Sequence, residues 1–225
     1  MAETKSKPIL MSGAMVRAII EGYKTQTRRV VKGPALAWLS AEFTPAYVAD
    51  PDNGMAPHPV GSEMWVREGY YQRGHWEEVT GLKARSRTGR QRWKFVPADN
   101  IVIFDAPEAF RKGRHSKDPE TVVWHKRLGR FMPRAASRLT LTVTDVRVER
   151  LQDISEEDAK AEGASFHDGR PIGHHGWRHD LKDVFSDARS SYAHLWESIN
   201  GPGSWDANPW VWAYSFSVNA EVPRG

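Results

Sequence analysis

Residues 139–149 place the tightest restriction on what this chain can fold into. Leu139, Leu141 and Val143 share one parity, while Val146 and Val148 share the other. A regular strand cannot put both sets on one face, because successive side chains point to opposite sides. One extra residue near Asp145, a β-bulge, restores a single apolar face and bends the strand. A long bent strand suits a small closed β-barrel. A second strand is written over residues 210–218, where Trp210, Trp212, Tyr214, Phe216 and Val218 alternate with smaller residues.

Two helices flank these strands. Met15, Val16, Ile19 and Ile20 give residues 13–21 an apolar face, and Gly22 supplies a left-handed stop. Leu181, Val184, Phe185, Ala188, Tyr192, Leu195, Trp196 and Ile199 form one stripe, so a helix is expected over 181–199, ended by Asn200-Gly201-Pro202. The expected class is therefore α+β: a small barrel flanked by helices 13–21 and 181–199. Residues 7–11 read as an extended start. Residues 33–60, with Pro34, Pro45, Pro51, Pro57 and Pro59, read as an irregular loop pinned by Trp38 and Phe43. Residues 61–68 read as a turn and a strand with two mixed faces, Met64, Val66 and Glu68 against Trp65 and Arg67, which suits a cleft lining. A further strand is expected over 100–104. Ser155 precedes three acids and reads as a helix N-cap, with the helix stopping at Gly163. Residues 164–179 read as a Gly/His loop.

The 225 residues suffice for one well-cored domain with insertions or for two small ones. No repeat and no clean boundary appears, so residues 1–225 are taken as one domain, with a core over 7–70 and 131–218 and an insertion over 72–130. No run of apolar residues is long enough to span a membrane. The first seven residues lead to no apolar signal core, and there is no cysteine, which removes thiolate metal sites and thiol catalysis. A cytoplasmic location is the expectation. Charge is uneven: residues 73–138 hold 16 Lys and Arg against 7 Asp and Glu, although the whole chain carries only +4. Clustered cations bind polyanions by releasing counterions. Nucleic acid is therefore a candidate partner. Arg85, Arg87, Arg90 and Arg92 are the candidate phosphate contacts, and Trp93, Trp76 and Trp124 the candidate stacking residues. A basic insertion with no partner is the plainer alternative.

Chemistry is most concentrated at Gly22-Tyr23-Lys24-Thr25-Gln26-Thr27-Arg28-Arg29. Here a helix delivers an amine beside two hydroxyls and two guanidinium groups. A solvated β-edge with alternating cations would look the same by spacing.

This stretch, with Lys7-Pro8-Ile9-Leu10-Met11, Trp65-Val66-Arg67-Glu68 and Asn208-Pro209-Trp210-Val211-Trp212, resembles the ASCH domains, a branch of the PUA-like fold, and in particular the phage and prophage proteins of that family. The resemblance covers roughly residues 7–70 and 131–218 and implies a PUA-like barrel. It extends to the small bacterial N4-acetylcytidine amidohydrolases, whose Lys-Thr-x-Thr pattern falls here on Lys24 and Thr27. Their later acid falls on Glu162, within Ile154-Ser155-Glu156-Glu157-Asp158-Ala159-Lys160-Ala161-Glu162. The resemblance thus implies a metal-independent, cofactor-free hydrolysis of N4-acylated cytosine nucleosides or a related modified nucleobase. Thr27, or a water activated by Lys24, would be the nucleophile, Lys24 the base and Glu162 the proton shuttle or orienting group. Thr25, Arg28, Trp65, Arg67 and Glu68 are the expected substrate contacts. An RNA-binding module or ribonuclease of the same fold is the alternative, and a phage protein with a vestigial cleft is a third reading.

Two physical conditions attach to this reading. A lysine acts as base only where burial or a neighbouring cation lowers its pKa, and an ionised Glu162 would oppose that shift. Residues 24 and 27 also face opposite sides of a regular strand, so the trio needs a turn at Thr25-Gln26. Glu68 reads equally as an Arg–Glu surface pair with Arg67. His167, Asp168, His174, His175 and His179 offer metal-ligand atoms, but their spacing fits no standard site and a surface loop accounts for them.

Overall fold

The computed structural model describes residues 6–41, 43–168, 175–179 and 183–219. In chain order the elements begin with β1 (Lys7–Leu10), α1 (Gly13–Ile20), β2 (Gln26–Val30), α2 (Pro34–Ser40), α3 (Pro45–Ala49), β3 (Glu63–Arg67) and β4 (Tyr70–Glu78). They continue with β5 (Trp93–Ile103), β6 (Val123–Arg127), β7 (Thr140–Arg150), α4 (Glu156–Ala161), β8 (Ser165–Asp168), β9 (His175–Arg178), α5 (Ala188–Asn200) and β10 (Trp210–Val218). The class is mixed α+β. The chain divides into two compact units: one of residues up to Ile9, Ala14–Val66 and from Arg138 onward, the other of Leu10–Gly13 and Arg67–Ser137.

The first unit is built on a five-stranded sheet in the order β1-β3-β7-β10-β2. β10 lies inside it, antiparallel to β7 on one side and to β2 on the other. Val211, Trp212, Ala213 and Tyr214 are consecutive and all buried, so both faces of the strand are covered. The β7–β10 register slips between Ser215 and Phe216: Ser215 faces Asp145 and Phe216 faces Val143, leaving Thr144 as the extra residue. Leu141 and Val143 on one side of this bulge, and Val146 and Val148 on the other, are all buried. β3 departs from the cleft-lining expectation. Met64, Trp65 and Val66 are buried in succession, so both faces of the strand are covered, and β3 sits between β1 and β7 rather than at an edge.

Helix placement follows capping. α1 buries Val16 and Ile19 and ends at Gly22, whose φ of 83° is left-handed. The amides of Tyr23 and Lys24 then both donate to the Ala18 carbonyl, turning the chain toward β2. Residues 33–60 are not an irregular loop. Pro34 and Pro45 open α2 and α3, where a missing N–H is harmless, and the Thr44 hydroxyl accepts from the Tyr47 amide at 3.2 Å. Trp38, Phe43 and Tyr47 stack on one another at centroid distances of 5.0–5.7 Å. Ser155 caps α4, accepting from the Asp158 amide at 3.1 Å. α5 is shorter than the stripe over 181–199 predicts. Asp187 caps it, accepting from the Ser190 amide at 2.7 Å, while Phe185 is held extended by a two-way backbone bridge to Trp177. Leu181 lies outside the described residues. Residues 164–179 contain the β8–β9 hairpin rather than only a loop, with His174 also outside the description. α4 and α5 pack through Ala159, Ala188, Tyr192 and Trp196 onto Leu151 and Val211.

The second unit carries the sheet β5-β4-β6, with β4 in the centre. Gly74 is required there: a Cβ would lie 2.3 Å from the Val96 carbonyl oxygen, at the point where the β4–β5 register shifts. His125 is fully buried beneath Trp76, whose indole N–H donates to its Nδ1 at 3.4 Å. The Arg127 guanidinium lies 4.0 Å from the Phe95 ring centroid and 5.3 Å from that of Trp76. Trp76 is thereby engaged by its own sheet rather than offered for stacking.

Candidate active site

β2 alternates, and the alternation sorts its polar side chains into two groups. Gln26 and Arg28 point to the α4 side: Gln26 Nε2 donates to Asp158 Oδ1 at 2.9 Å and Arg28 Nη2 to Asp158 Oδ2 at 2.7 Å. Thr27 and Arg29 belong to the opposite face and bond to each other, with Arg29 Nη1 donating to Thr27 Oγ1 at 2.7 Å. The Arg29 guanidinium also donates to the Arg28 carbonyl.

Lys24 precedes β2 and bridges to Glu162 at the C-terminal end of α4. Its Nζ donates to the Glu162 carbonyl oxygen at 2.8 Å and to Glu162 Oε2 at 2.6 Å. The adjacent Thr25 amide donates to the Ala161 carbonyl and its carbonyl accepts from Phe216, which fixes the approach. Glu162 Oε1 accepts from Arg28 at 3.1 Å, and the Tyr192 hydroxyl bonds to the same carboxylate. Arg28 is shared further with Glu149, whose Oε1 accepts from Nε at 2.8 Å. Arg147 closes the array on Asp158 Oδ2 at 2.8 Å and on Glu149 Oε2 at 3.4 Å. Three cations and three carboxylates thus balance within one network.

Burial governs its electrostatics. Lys24, Arg28 and Glu162 are 1%, 2% and 2% exposed. Burial lowers the Lys24 amine from the ordinary lysine value; the Glu162 carboxylate opposes this, and the charges of Arg29 and Arg28 add to it. Burial would raise Glu162, but Lys24 and Arg28 outweigh it and hold the carboxyl below its usual range. Burial also works against charge on Arg28, and Glu162 and Glu149 overcome it. His179 is buried, exchanges a hydrogen bond with Ser191 at 2.9 Å, and is pushed down to about 4, by burial first and then by nearby Lys24. It is neutral at pH 7.

Compared with known proteins, the chain matches no family model, no curated sequence and no solved structure.

The expected site residues are distributed unevenly. Lys24, Glu162 and Arg28 are brought together. Thr27 is fully buried but bonded to Arg29, and no hydrogen bond joins it to Lys24 or Glu162 among the described residues. Thr25 is exposed. β3, which carries Trp65 and Arg67 and leads into Glu68, is separated from β2 in the sheet by β7 and β10, and Trp65 and Glu68 are buried. Arg85, Arg87, Arg90 and Arg92 are exposed on the turn joining β4 to β5, with no acidic partner among the described residues. Trp93 is half-buried beneath the Arg114 guanidinium, 4.2 Å from the ring centroid. Among the described residues no three His, Asp or Glu side chains converge as a metal site. Sequence reading missed Arg147, Glu149, Asp158 and Tyr192. Arg147 and Glu149 were signalled by the polar parity of β7 beyond its bulge, whereas Asp158 was hidden among acids that suit a helix start.

Proposed function

We propose that this chain hydrolyses the acyl amide of an N4-acylated cytosine nucleoside, or of a related modified nucleobase, with Lys24 as general base and a water as nucleophile. The ASCH and PUA-like resemblance supplies the reaction class. One observation carries it to this site. The Lys24 nitrogen gives two hydrogen bonds, both to Glu162, and its third position has no partner among the described residues. The ammonium pairs with Glu162 but leaves one buried donor unsatisfied, a penalty of about 1–3 kcal/mol or more that favours giving up that proton. Loss of the third proton leaves both hydrogen bonds in place and a lone pair able to take a proton from water. The lowered Lys24 pKa works in the same direction.

In this reading Lys24 takes a proton from the attacking water, the carbonyl carbon becomes tetrahedral, and the C–N bond breaks. The exocyclic nitrogen leaves with the proton from Lys24, giving the free cytosine amine and a carboxylic acid. Glu162 orients the lysine, and Arg28 keeps Glu162 ionised. Of the two nucleophiles expected, water is preferred to Thr27, whose hydroxyl accepts from Arg29 on the other face of β2. Lys24 is sealed in this structure, so turnover requires its cover to open. The test is hydrolysis of N4-acetylcytidine, with cytidine followed by chromatography, for wild type, Lys24→Ala and Thr27→Val. Activity in wild type and Thr27→Val but not in Lys24→Ala is expected. Equal turnover in Lys24→Ala would make the network a structural clasp.

A second reading rests on a separate observation, the four exposed arginines between β4 and β5. They suit a nucleic-acid backbone, and such binding would weaken steeply with salt.

A further inference from the structure

The second unit contains a pocket of about 480 Å³ lined chiefly by Arg73, Phe110, Arg111, Val122, Val123 and Trp124. Its volume falls in the range that small-molecule sites occupy, roughly 300–1,000 Å³. Two aromatic rings and two valines supply apolar contact, and the charged side chains are both arginines.

These arginines are held differently. Arg111 is clamped: Nη1 donates to the Asp118 carbonyl at 2.6 Å and Nη2 to Asp118 Oδ2 at 2.8 Å, while its amide donates to the Trp124 carbonyl. Asp118 is itself fixed by the Thr121 hydroxyl at 2.6 Å. Arg73 is exposed, stands directly across from Trp124 in the β4–β6 register, and has no acidic partner among the described residues. Phe110 is steadied edge-on by Tyr71 at 4.8 Å. The pocket therefore combines a fixed guanidinium, an uncommitted one and two planar rings, in a unit with an excess of cations.

We propose that this pocket binds a nucleotide, its base against Trp124 and Phe110 and its phosphate on Arg73. Flat aromatic faces accept any base, whereas an unpaired guanidinium beside them selects an attached anion. The same chemistry is offered by a free mononucleotide and by the phosphorylated end of a single strand. The site goes beyond the hydrolase reading, because it uses no residue of the Lys24 network.

The experiment is calorimetric titration of the full-length chain with uridine and adenosine 5′-monophosphates, with the corresponding nucleosides, and with a 5′-phosphorylated pentanucleotide. Arg73→Glu and Arg73→Gln are titrated alongside. Saturable binding of a phosphorylated ligand is expected, weakened about tenfold or more in Arg73→Glu and less in Arg73→Gln, with the nucleosides binding worse than their phosphates. Preference for the mononucleotide identifies a free ligand, and preference for the pentanucleotide a strand end; either supports the site. Absence of saturable binding by all ligands at millimolar concentration overturns it, as does equal affinity in wild type and Arg73→Glu. Thermal melting establishes that the variants are folded, since an exposed Arg73 leaves the sheet unchanged. Lys24→Ala should bind as wild type does, so failure of the hydrolase reading and failure of this one are distinguishable.

Discussion

Replacing Glu162 by Gln should destabilise the first unit in a way that depends on pH, and the dependence can be worked out from the network. Arg28 keeps two carboxylates, Glu149 and Asp158, when Glu162 is neutralised. Lys24 keeps only neutral acceptors, the backbone carbonyl of residue 162 and the amide oxygen of the new side chain, and loses its counter-charge. Breaking a buried ion pair by removing one partner costs about 3–5 kcal/mol. The lysine has one escape, which is to lose its proton. Starting from its ordinary value of 10.5, deprotonation at pH 7 costs about 5 kcal/mol at 1.36 kcal/mol per pH unit, and at pH 9 about 2 kcal/mol. The charge-related loss is therefore capped at about 5 kcal/mol at pH 7 and about 2 kcal/mol at pH 9. The sign follows from proton counting. A lysine depressed in the folded state binds fewer protons folded than unfolded, so stability rises with pH up to about 10.5. Glu162→Gln depresses Lys24 further than in wild type, so its stability rises more steeply. The assay is urea unfolding of wild type and variant at pH 7 and pH 9 at fixed ionic strength, followed by circular dichroism. A difference of about 3–5 kcal/mol that shrinks to about 2 kcal/mol or less is expected. A large difference equal at both pH values would refute the reasoning, because the loss would then come from something other than the stranded charge.

Other outcomes follow from the same geometry. Lys24→Met combined with Glu162→Leu should recover most of the stability lost in Glu162→Gln, since apolar replacement of a buried pair is often neutral or stabilising, and urea midpoints check this. His179, held near 4 in the fold against 6.5 when unfolded, contributes stability that is complete above pH 6.5 and lost as pH falls toward 4, about 3 kcal/mol at the lower end; His179→Gln should flatten that acid limb in a series of pH-dependent melts. Reversing Arg87 and Arg90 to Glu should weaken single-stranded RNA binding and lower the slope of log affinity against log salt by about 0.7 for each phosphate the variant no longer neutralises, measured by fluorescence anisotropy between 50 and 200 mM salt. Gly176→Ala would place a Cβ 2.2 Å from the Phe185 carbonyl oxygen at a φ of 154°, so it should break the Trp177–Phe185 bridge and lower the melting temperature by several degrees.

Much of the fold was legible because its strands announce themselves by parity. The switch from Leu139, Leu141 and Val143 to Val146 and Val148 located the bulge within one residue of Thr144. Ser155 and Gly22 marked helix ends by chemistry that does not depend on distant contacts. The failures were tertiary or local. Five prolines over 33–60 read as loop, whereas Pro34 and Pro45 sit where helices begin. The apolar stripe over 181–199 continued a helical period through Val184 and Phe185, but backbone pairing with Trp177 and the Asp187 cap took those residues first. The two mixed faces of residues 64–68 suggested a cleft lining because no local signal tells that both faces of β3, and Glu68 just after it, are buried.

The candidate site was legible as residues and not as an arrangement. Lys24 and Glu162 are separated by 138 positions, and no spacing rule joins them; only a family resemblance linked the two. What the sequence did contain was the constraint on Thr27. Three residues of extended chain reverse the face, and in β2 nothing interrupts the alternation, so Thr27 pairs with Arg29 while Arg28 joins Glu162. The charge pattern calls for similar care. Outside residues 73–138 the chain counts as acidic, yet Glu149, Asp158 and Glu162 are matched internally by Lys24, Arg28 and Arg147. Removing three charges of each sign leaves that balance unchanged, and all of them but Arg147 are largely withdrawn from solvent. The cations of the second unit behave otherwise: Arg85, Arg87, Arg90 and Arg92 stay in solvent without acidic partners among the described residues. A chain with a modest net charge therefore presents its basic character almost entirely through one unit, and polyanion binding should map to that unit even if the Lys24 network proves to be the seat of the chemistry.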